Sequence, residues 1–305
     1  MKNIIEIKNL KKSYDKFLAV DEISFSVKKG ELFAFLGVNG AGKSTVINII
    51  CQSIDKDGGK VYINGIDIDT HDSKIKRDIG VVFQGSVLDK HLTVYDNLQS
   101  RAALYGIIGE EFKNRLASLC ELLELDPLLN KTVGKLSGGQ KRRIDIARAL
   151  VHSPRILILD EPTTGLDPKT RNLLWQVISR LQKESNMTVF LTTHYMEEAA
   201  GADYVVIIDN GKISAAGTPL ELKNLYTGDY ITLYGATEKD ILPLGLPYKV
   251  LRDGIRIDVK STAFAVELIQ KAPELFCDFE VTKGRMDDVF LAVTGKTLGD
   301  GGDGK

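Results

Sequence analysis

Residues 32–50 read LFAFL-GVNGAGKS-TVINII. An unbroken apolar run, Leu32 to Leu36, passes through a glycine-rich segment, Gly37 to Ser44, into apolar positions at Val46, Ile47, Ile49 and Ile50. That order predicts a strand, a tight loop and a helix, the setting a phosphate-binding loop requires. Glycines at 37, 40 and 42 let backbone N–H groups turn inward with no side chain in the way. The helix that follows aims the positive end of its dipole at the same place. Lys43 supplies a cation for the terminal phosphates and the Ser44 hydroxyl a ligand for Mg²⁺. The whole run Gly37, Val38, Asn39, Gly40, Ala41, Gly42, Lys43, Ser44 and Thr45 is the expected nucleotide-binding segment.

The surrounding composition is that of an ordinary globular protein. The chain has 305 residues, 43% hydrophobic and 27% charged, enough for one large domain or a large one with a small companion. A net charge of −1 leaves no electrostatic footprint for nucleic acid over the whole chain. The basic run Lys141, Arg142, Arg143 reads as a solvated helix face. Cys51, Cys120 and Cys277 are far apart, odd in number and without metal spacing, which suits reduced thiols. Charges interrupt the apolar residues of MKNIIEIKNLKKSY, so no secretory signal is expected. No stretch is apolar enough to span a bilayer, so a membrane role requires a partner.

A second short apolar run, Ile156 to Leu159, ends in Asp160, Glu161 and Pro162. Buried parallel strands look like this, and functional groups in open α/β sheets gather at strand carboxyl ends. Asp160 is thereby placed to hold Mg²⁺, directly or through water. Glu161 is a candidate for orienting or deprotonating an attacking water. LSGGQ, residues 136–140, opens another helix expected over Gly139 to Val151, with Ser137 as its N-cap. Glycines and a serine at a helix start form a second anion site in principle.

The sequence GVNGAGKS, Gln84 after Val81 to Phe83, LSGGQ, ILILDEP, TGLD at 164–167 and His194 after Leu191, Thr192 and Thr193 resembles the ATP-binding cassette (ABC) ATPases over residues 3–220. The fold implied is α/β, a P-loop NTPase of ABC type with an inserted helical subdomain. The resemblance implies that Tyr14 stacks on adenine, with Val20 packed against the same ring or the ribose. Gln84 completes the Mg²⁺ and water shell and senses a membrane partner. His194 bonds the γ-phosphate and, with Glu161 and Lys43, makes up the catalytic set; Ser44, Gln84 and Asp160 hold the metal. Ser137, Gly138, Gly139 and Gln140 read the ATP held by another subunit, and Asp167 lies across that interface. Two ATP molecules are then clamped in a head-to-tail homodimer, or a heterodimer with a related ATPase.

Along the chain, Val94, Leu98, Ala102 and Leu116, Leu119, Leu123 recur at helical spacing. They place the helical subdomain at about 86–150 within an ATPase domain of residues 1–225. Asp167-Pro168 is a cap and first-turn pair whose helix buries Leu173, Leu174, Val177, Ile178 and Leu181. After about residue 226 the motifs stop. Strands at Tyr230–Tyr234 and Phe279–Thr282, helices at Thr262–Lys271 and Arg285–Val293, and a hairpin turning at Asp253-Gly254 in type I′ geometry predict a small C-terminal α+β domain, 226–295. Residues 296–305 are expected to be disordered.

RMDDVFLAVTG, 285–295, resembles the terminal helix of ATPase subunits of bacterial drug-resistance-type ABC exporters. The implied protein is an ATP-hydrolysing subunit at the cytoplasmic face of the membrane that powers efflux through a separate transmembrane permease, without nucleic acid. The alternatives are an ABC ATPase acting on ribosomes or DNA and a non-hydrolysing ATP switch. One phosphate loop and no sustained heptads weigh against the first, and Glu161 with His194 against the second. A GTPase lacks support, since Asn130-Lys131 is followed by Thr132 and Val133.

Overall fold

The computed structural model describes residues 2–296, so the tail expected to be disordered lies, beyond Lys296, outside the described residues. The chain forms two compact units, Met1–Ser214 and the part from Ala215 onward.

In the first unit, β1 (Asn3–Tyr14) and β2 (Phe17–Lys28) form an antiparallel hairpin in which Tyr14 faces Phe17. Asp15 turns the chain with φ +49°, a conformation Asp tolerates better than most residues. The strand β3 (Leu32–Leu36) follows, every residue buried, and leads through the glycine loop into α1 (Lys43–Ile50). Strands β4 (Gly58–Ile63) and β5 (Ile66–Asp67) extend the hairpin into a sheet of order β2-β1-β4-β5. Then come α2 (Ser73–Asp78), β6 (Ile79–Val82), α3 (Val94–Ala103), α4 (Gly109–Leu123) and α5 (Gly138–Leu150). The chain returns to the core through β7 (Ile156–Asp160), α6 (Pro168–Ser185), β8 (Thr188–Thr193), α7 (Met196–Ala200) and β9 (Tyr204–Asp209).

With β10 (Lys212–Gly217), these strands make a sheet of order β10-β9-β3-β8-β7-β6, and the pairs from β9 to β6 are parallel. That order has one consequence for the site. The segments after β3, β8, β7 and β6, which carry Gly37–Ser44, His194, Glu161 and Gln84, leave neighbouring strands at the same end.

The core lies where the antiparallel sheet covers the parallel one. Phe25 of β2 stacks on Phe33 of β3 with centroids 5.3 Å apart, and Phe33 on Phe190 of β8 at 5.0 Å. Both Phe33 and Phe190 are fully buried, and truncating such a ring to Ala costs about 3–5 kcal/mol. Helices α3 and α4 use the predicted positions: Val94, Leu98 and Ala102 are buried, as are Leu116, Leu119 and Leu123. In α6, Leu174, Val177, Ile178 and Leu181 are buried but Leu173 is only half-buried, one position round the helix from that stripe.

The second unit contains α8 (Pro219–Tyr226), β11 (Asp229–Tyr234), α9 (Glu238–Ile241), β12 (Tyr248–Val250), β13 (Gly254–Val259), α10 (Thr262–Lys271), β14 (Phe279–Lys283) and α11 (Met286–Thr294). Its strands form an antiparallel sheet of order β12-β13-β11-β14. Helix α8 packs with α11, which puts residues 219–226 with this unit rather than with residues 1–214.

The β12–β13 hairpin corrects the expected turn. Val250 pairs with Ile255, Leu251 donates to the Gly254 carbonyl, and Arg252-Asp253 is the loop. Neither Arg252 nor Asp253 has the positive φ that type I′ requires. Gly254 serves instead at the start of β13, where a Cβ would sit 2.1 Å from the Leu233 carbonyl oxygen.

Candidate active site

The loop after β3 is held from inside the protein. The Gly37 N–H donates to the Thr193 carbonyl at 3.2 Å and the Ala41 N–H to the Val38 carbonyl at 3.2 Å. Gly42 has φ +107°, and a Cβ there would lie 2.5 Å from the Ala19 carbonyl oxygen, so no other residue fits. Gly37 has a different reason to be glycine. Its φ is not positive, but a Cβ would meet the Ile208 carbonyl at 2.5 Å, so it is a packing glycine against β9. Gly40 has φ +81° with open space around it. Helix α1 starts at Lys43, and the first N–H groups of any helix lack intrahelical partners, which leaves them for an anion.

Lys43 is buried at 5% exposure and folds back on its own loop. Its Nζ donates to the Gly37 carbonyl at 2.7 Å and the Val38 carbonyl at 3.0 Å, and lies 3.3 Å from Glu161 Oε1. Burial pulls the ammonium below the ordinary lysine range, and the Glu161 carboxylate opposes that shift.

Glu161 is the meeting point. Its Oε2 accepts from Gln84 Nε2 at 3.4 Å and lies 3.3 Å from His194 Nδ1, a contact not aligned as a hydrogen bond. Its backbone N–H donates to the Thr192 carbonyl at 3.1 Å, and its φ is +44°. A left-handed glutamate costs of order 1–3 kcal/mol and persists only where its surroundings impose it. Asp160, 6% exposed, accepts from Thr192 Oγ1 at 2.6 Å. A carboxylate held between an ammonium, an amide and an imidazole is equipped to handle the proton of a water.

Lys43, Gln84 and Glu161 face a cleft of about 370 Å³ also lined by Tyr14, Phe17, Ala19, Asn39, Gly40, Gly42, Ser44 and Thr45. Tyr14 is 44% exposed, with Lys12 Nζ 5.6 Å from its ring centroid. Val20 does not reach the cleft. It is fully buried in the core, and Phe17 and Ala19 of the same strand take its place. Ser44, Gln84 and Asp160 offer a hydroxyl, an amide and a carboxylate. These are hard oxygen donors and few in number, which fits an ion that keeps water and phosphate in its shell.

The second motif lies elsewhere. Ser137 caps α5 in a reciprocal box: its Oγ accepts from the Gln140 N–H at 3.3 Å, and Gln140 Oε1 accepts from the Ser137 N–H at 3.0 Å. Ser137 and Gly138 are exposed, and none of residues 137–140 lines the cleft. Gly139 packs on α6, since a Cβ would meet Thr170 Oγ1 at 2.6 Å. Asp167 caps α6, accepting from the Thr170 N–H at 3.0 Å and its hydroxyl at 2.6 Å, and those bonds hold its carboxyl below the usual range.

Two residues near the site escaped the sequence reading. Arg142, expected on a solvated face, is 7% exposed and donates to the carbonyls of Phe83, Asp160 and Pro162. The apolar periodicity of α5 held a weak clue, because Arg142 shares a face with Asp145 and Ile146 rather than with Lys141. Glu198 is buried and accepts from the hydroxyls of Thr163 and Thr193, tying the segment after Glu161 to the one before His194. Burial pushes its carboxyl up against the pull of those two bonds.

Known proteins resemble this chain over most of its length. Residues 20–164 match the family model described as ABC transporter. The linearmycin resistance ATP-binding protein LnrL of Bacillus subtilis (strain 168) is 36% identical, over 97% of this chain and 100% of its own. The Nod factor export ATP-binding protein I of Rhizobium sp. (strain N33) is 34% identical over 96% and 98%. The dimeric ATP-binding cassette MJ0796, in a post-hydrolysis state bound to ADP and Pi, superposes with a TM-score of 0.66 at 32% identity, covering 70% of this chain and 98% of that one. An ATP-binding subunit of an ABC transporter gives 0.68 at 29% identity, covering 79% and 98%. The chain belongs to the ABC transporter family as an ATP-binding subunit whose hydrolysis of ATP serves transport.

Proposed function

We propose that this chain drives export: two copies close around two ATP molecules and, in closing and reopening, move a separate permease in the membrane. The observation that carries the reading is the separation within one chain. Lys43, Gln84 and Glu161 line one cleft, with His194 beside Glu161, while Ser137 and Gly138 stand exposed and outside it. A second copy, turned about a two-fold axis, brings its Ser137 to the open side of the bound nucleotide. The γ-phosphate then touches both copies, and its loss releases them.

In this reading the N–H groups at the start of α1 and Lys43 bind the phosphates, and Tyr14 stacks on the adenine with Phe17 and Ala19 beside it. Glu161 accepts the proton of the attacking water, while Gln84 and His194 orient that water and the γ-phosphate. Ser44, Gln84 and Asp160 would hold Mg²⁺, which when bound offsets charge on the phosphate oxygens. Asp167 lies across the interface between the copies. The similarity to proteins named for linearmycin resistance and Nod factor export supports export as the direction. Among the described residues no helix is long and apolar enough to cross a membrane. In this reading the permease crosses it and the chain works at the cytoplasmic face.

The test is tagged chain recovered from detergent-solubilised membranes of its own host. An integral membrane protein should co-purify in fixed ratio and change the rate of ATP hydrolysis. Recovery with ribosomes or DNA instead would overturn the transport reading.

A further inference from the structure

Arg142 sits in the second turn of α5, the helix that begins at Ser137. Its guanidinium is spread over three carbonyls: Nη1 donates to Phe83 at 2.5 Å, Nη2 to Asp160 at 3.2 Å and Nε to Pro162 at 2.8 Å. Phe83 immediately precedes Gln84. Asp160 and Pro162 are the residues on either side of Glu161. The side chain therefore grips the backbone on both sides of Glu161, the residue held at φ +44°, and fixes the entry to the Gln84 loop with the same rigid group.

Nothing about this arrangement serves packing alone. A buried cation is costly unless fully bonded, and among the described residues Arg142 forms no ion pair with a carboxylate. Its three bonds all go to carbonyls of the segments carrying Gln84 and Glu161, while the Asp145 and Asp160 carboxylates favour its charge from a longer range. Asp145, one turn further along α5 and 3% exposed, is pushed up in pKa by burial, and Ser86, Arg142 and the Val87 backbone oppose that shift, which puts its carboxyl near the far side of the same loop. The fork geometry is specific to arginine, since an ammonium is a compact point charge and cannot reproduce three divergent bonds.

We propose that Arg142 is a positioning residue for hydrolysis: it fixes Glu161 and the Gln84 loop to the helix that Ser137 opens, so that engagement at Ser137 is transmitted to the hydrolytic carboxylate. The inference rests on the reading of Glu161 and Gln84 given above. It goes beyond that reading by giving a residue outside the cleft control over turnover without a share in nucleotide binding, because Arg142 touches neither Lys43 nor the glycine loop.

The experiment is steady-state ATP hydrolysis by the full chain carrying Arg142→Lys or Arg142→Gln, with melting temperature and affinity for a fluorescent ATP analogue measured alongside. Displacing a catalytic group by a fraction of an ångström to an ångström costs up to about a hundredfold, so kcat should fall at least about tenfold with KM within about twofold. In a Gln84→Ala background the Arg142→Lys substitution should cost less than it does alone, because the two act through one loop. Three results would overturn the proposal: kcat within about twofold of the parent, additive losses in the double variant, or loss of ATP affinity and melting temperature together with kcat in both variants. Glu161→Gln is measured in parallel. If that variant turns over normally, the reading of the site itself has failed. If it is inactive while Arg142→Lys is not, only the role of Arg142 has failed.

Discussion

The cleft around Lys43 and the start of α5 at Ser137 are both phosphate-facing motifs by sequence, yet they are built in opposite ways. At the cleft, Lys43, Gln84 and His194, carried on segments that leave adjacent strand ends, all come within 3.4 Å of the Glu161 carboxylate. At Ser137 the polar groups bond only within their own turn, and the glycine beside them opens on solvent. The first region gathers its cation, amide and carboxylate within one chain. The second is a capped, exposed helix start, and that asymmetry is what a second copy would resolve in the proposed dimer.

The largest effect should come from the hub of the cleft. Glu161→Gln keeps the size and one acceptor but removes the base, and general-base contributions run to about 10²–10⁴-fold. We expect kcat to fall by about a thousandfold with ATP affinity retained, read by phosphate release and by nucleotide titration. Near-parental turnover would break the contrast by making the cleft's central carboxylate dispensable. Next in size, Lys43→Ala removes the buried cation that meets the phosphates in this reading. Truncating one member of a buried charge pair across a binding interface costs about 2–5 kcal/mol, so ATP affinity should fall by about a hundredfold in a titration. Unchanged affinity would remove Lys43 from the nucleotide-binding role.

A smaller effect sharpens the comparison from the far end of α5. His152 stacks on Tyr105 at 3.9 Å, and its Nε2 lies 3.1 Å from the Ile79 carbonyl. Burial pushes its pKa down to about 4. Between that value and the unfolded value of about 6.5, the unfolded chain binds the proton and the folded chain does not. Stability is therefore full above about pH 6.5 and declines as pH falls toward 4. Allowing for the partial exposure of the ring, His152 should account for about 2 kcal/mol of that loss. Urea unfolding at pH 7.5 and pH 5 should show a smaller difference in His152→Gln than in the parent. Because His152 lies just past the end of α5 opposite to Ser137, the same variant should leave ATP-dependent pairing intact. An unchanged pH difference would show that His152 titrates normally.

Much of the site was legible because its logic is local. GVNGAGKS and ILILDEP each announce a strand, its end and the residue type that stands there. The cap at Ser137 and the cap at Asp167 were equally readable, since a side chain and the N–H three residues on decide them. What resisted reading depends on contacts distant in sequence. Val20 and Ala19 are adjacent apolar residues, and only the packing of β2 against the core decides which faces the cleft. Arg142 looked like one of three exposed cations until the Phe83, Asp160 and Pro162 carbonyls came to it. Gly254 signalled a turn, but the Leu233 carbonyl 2.1 Å from where its Cβ would be gives it another purpose.

The claim on which the rest depends is that the exposed start of α5 closes on nucleotide bound by another copy. Its most direct test is the molar mass of the Glu161→Gln protein by light scattering, with and without ATP and Mg²⁺, beside the same protein carrying Ser137→Arg. The mass should double with nucleotide in the first and stay that of one chain in the second, although both bind ATP. A mass that ignores nucleotide in the first protein, or doubles equally in both, would contradict it.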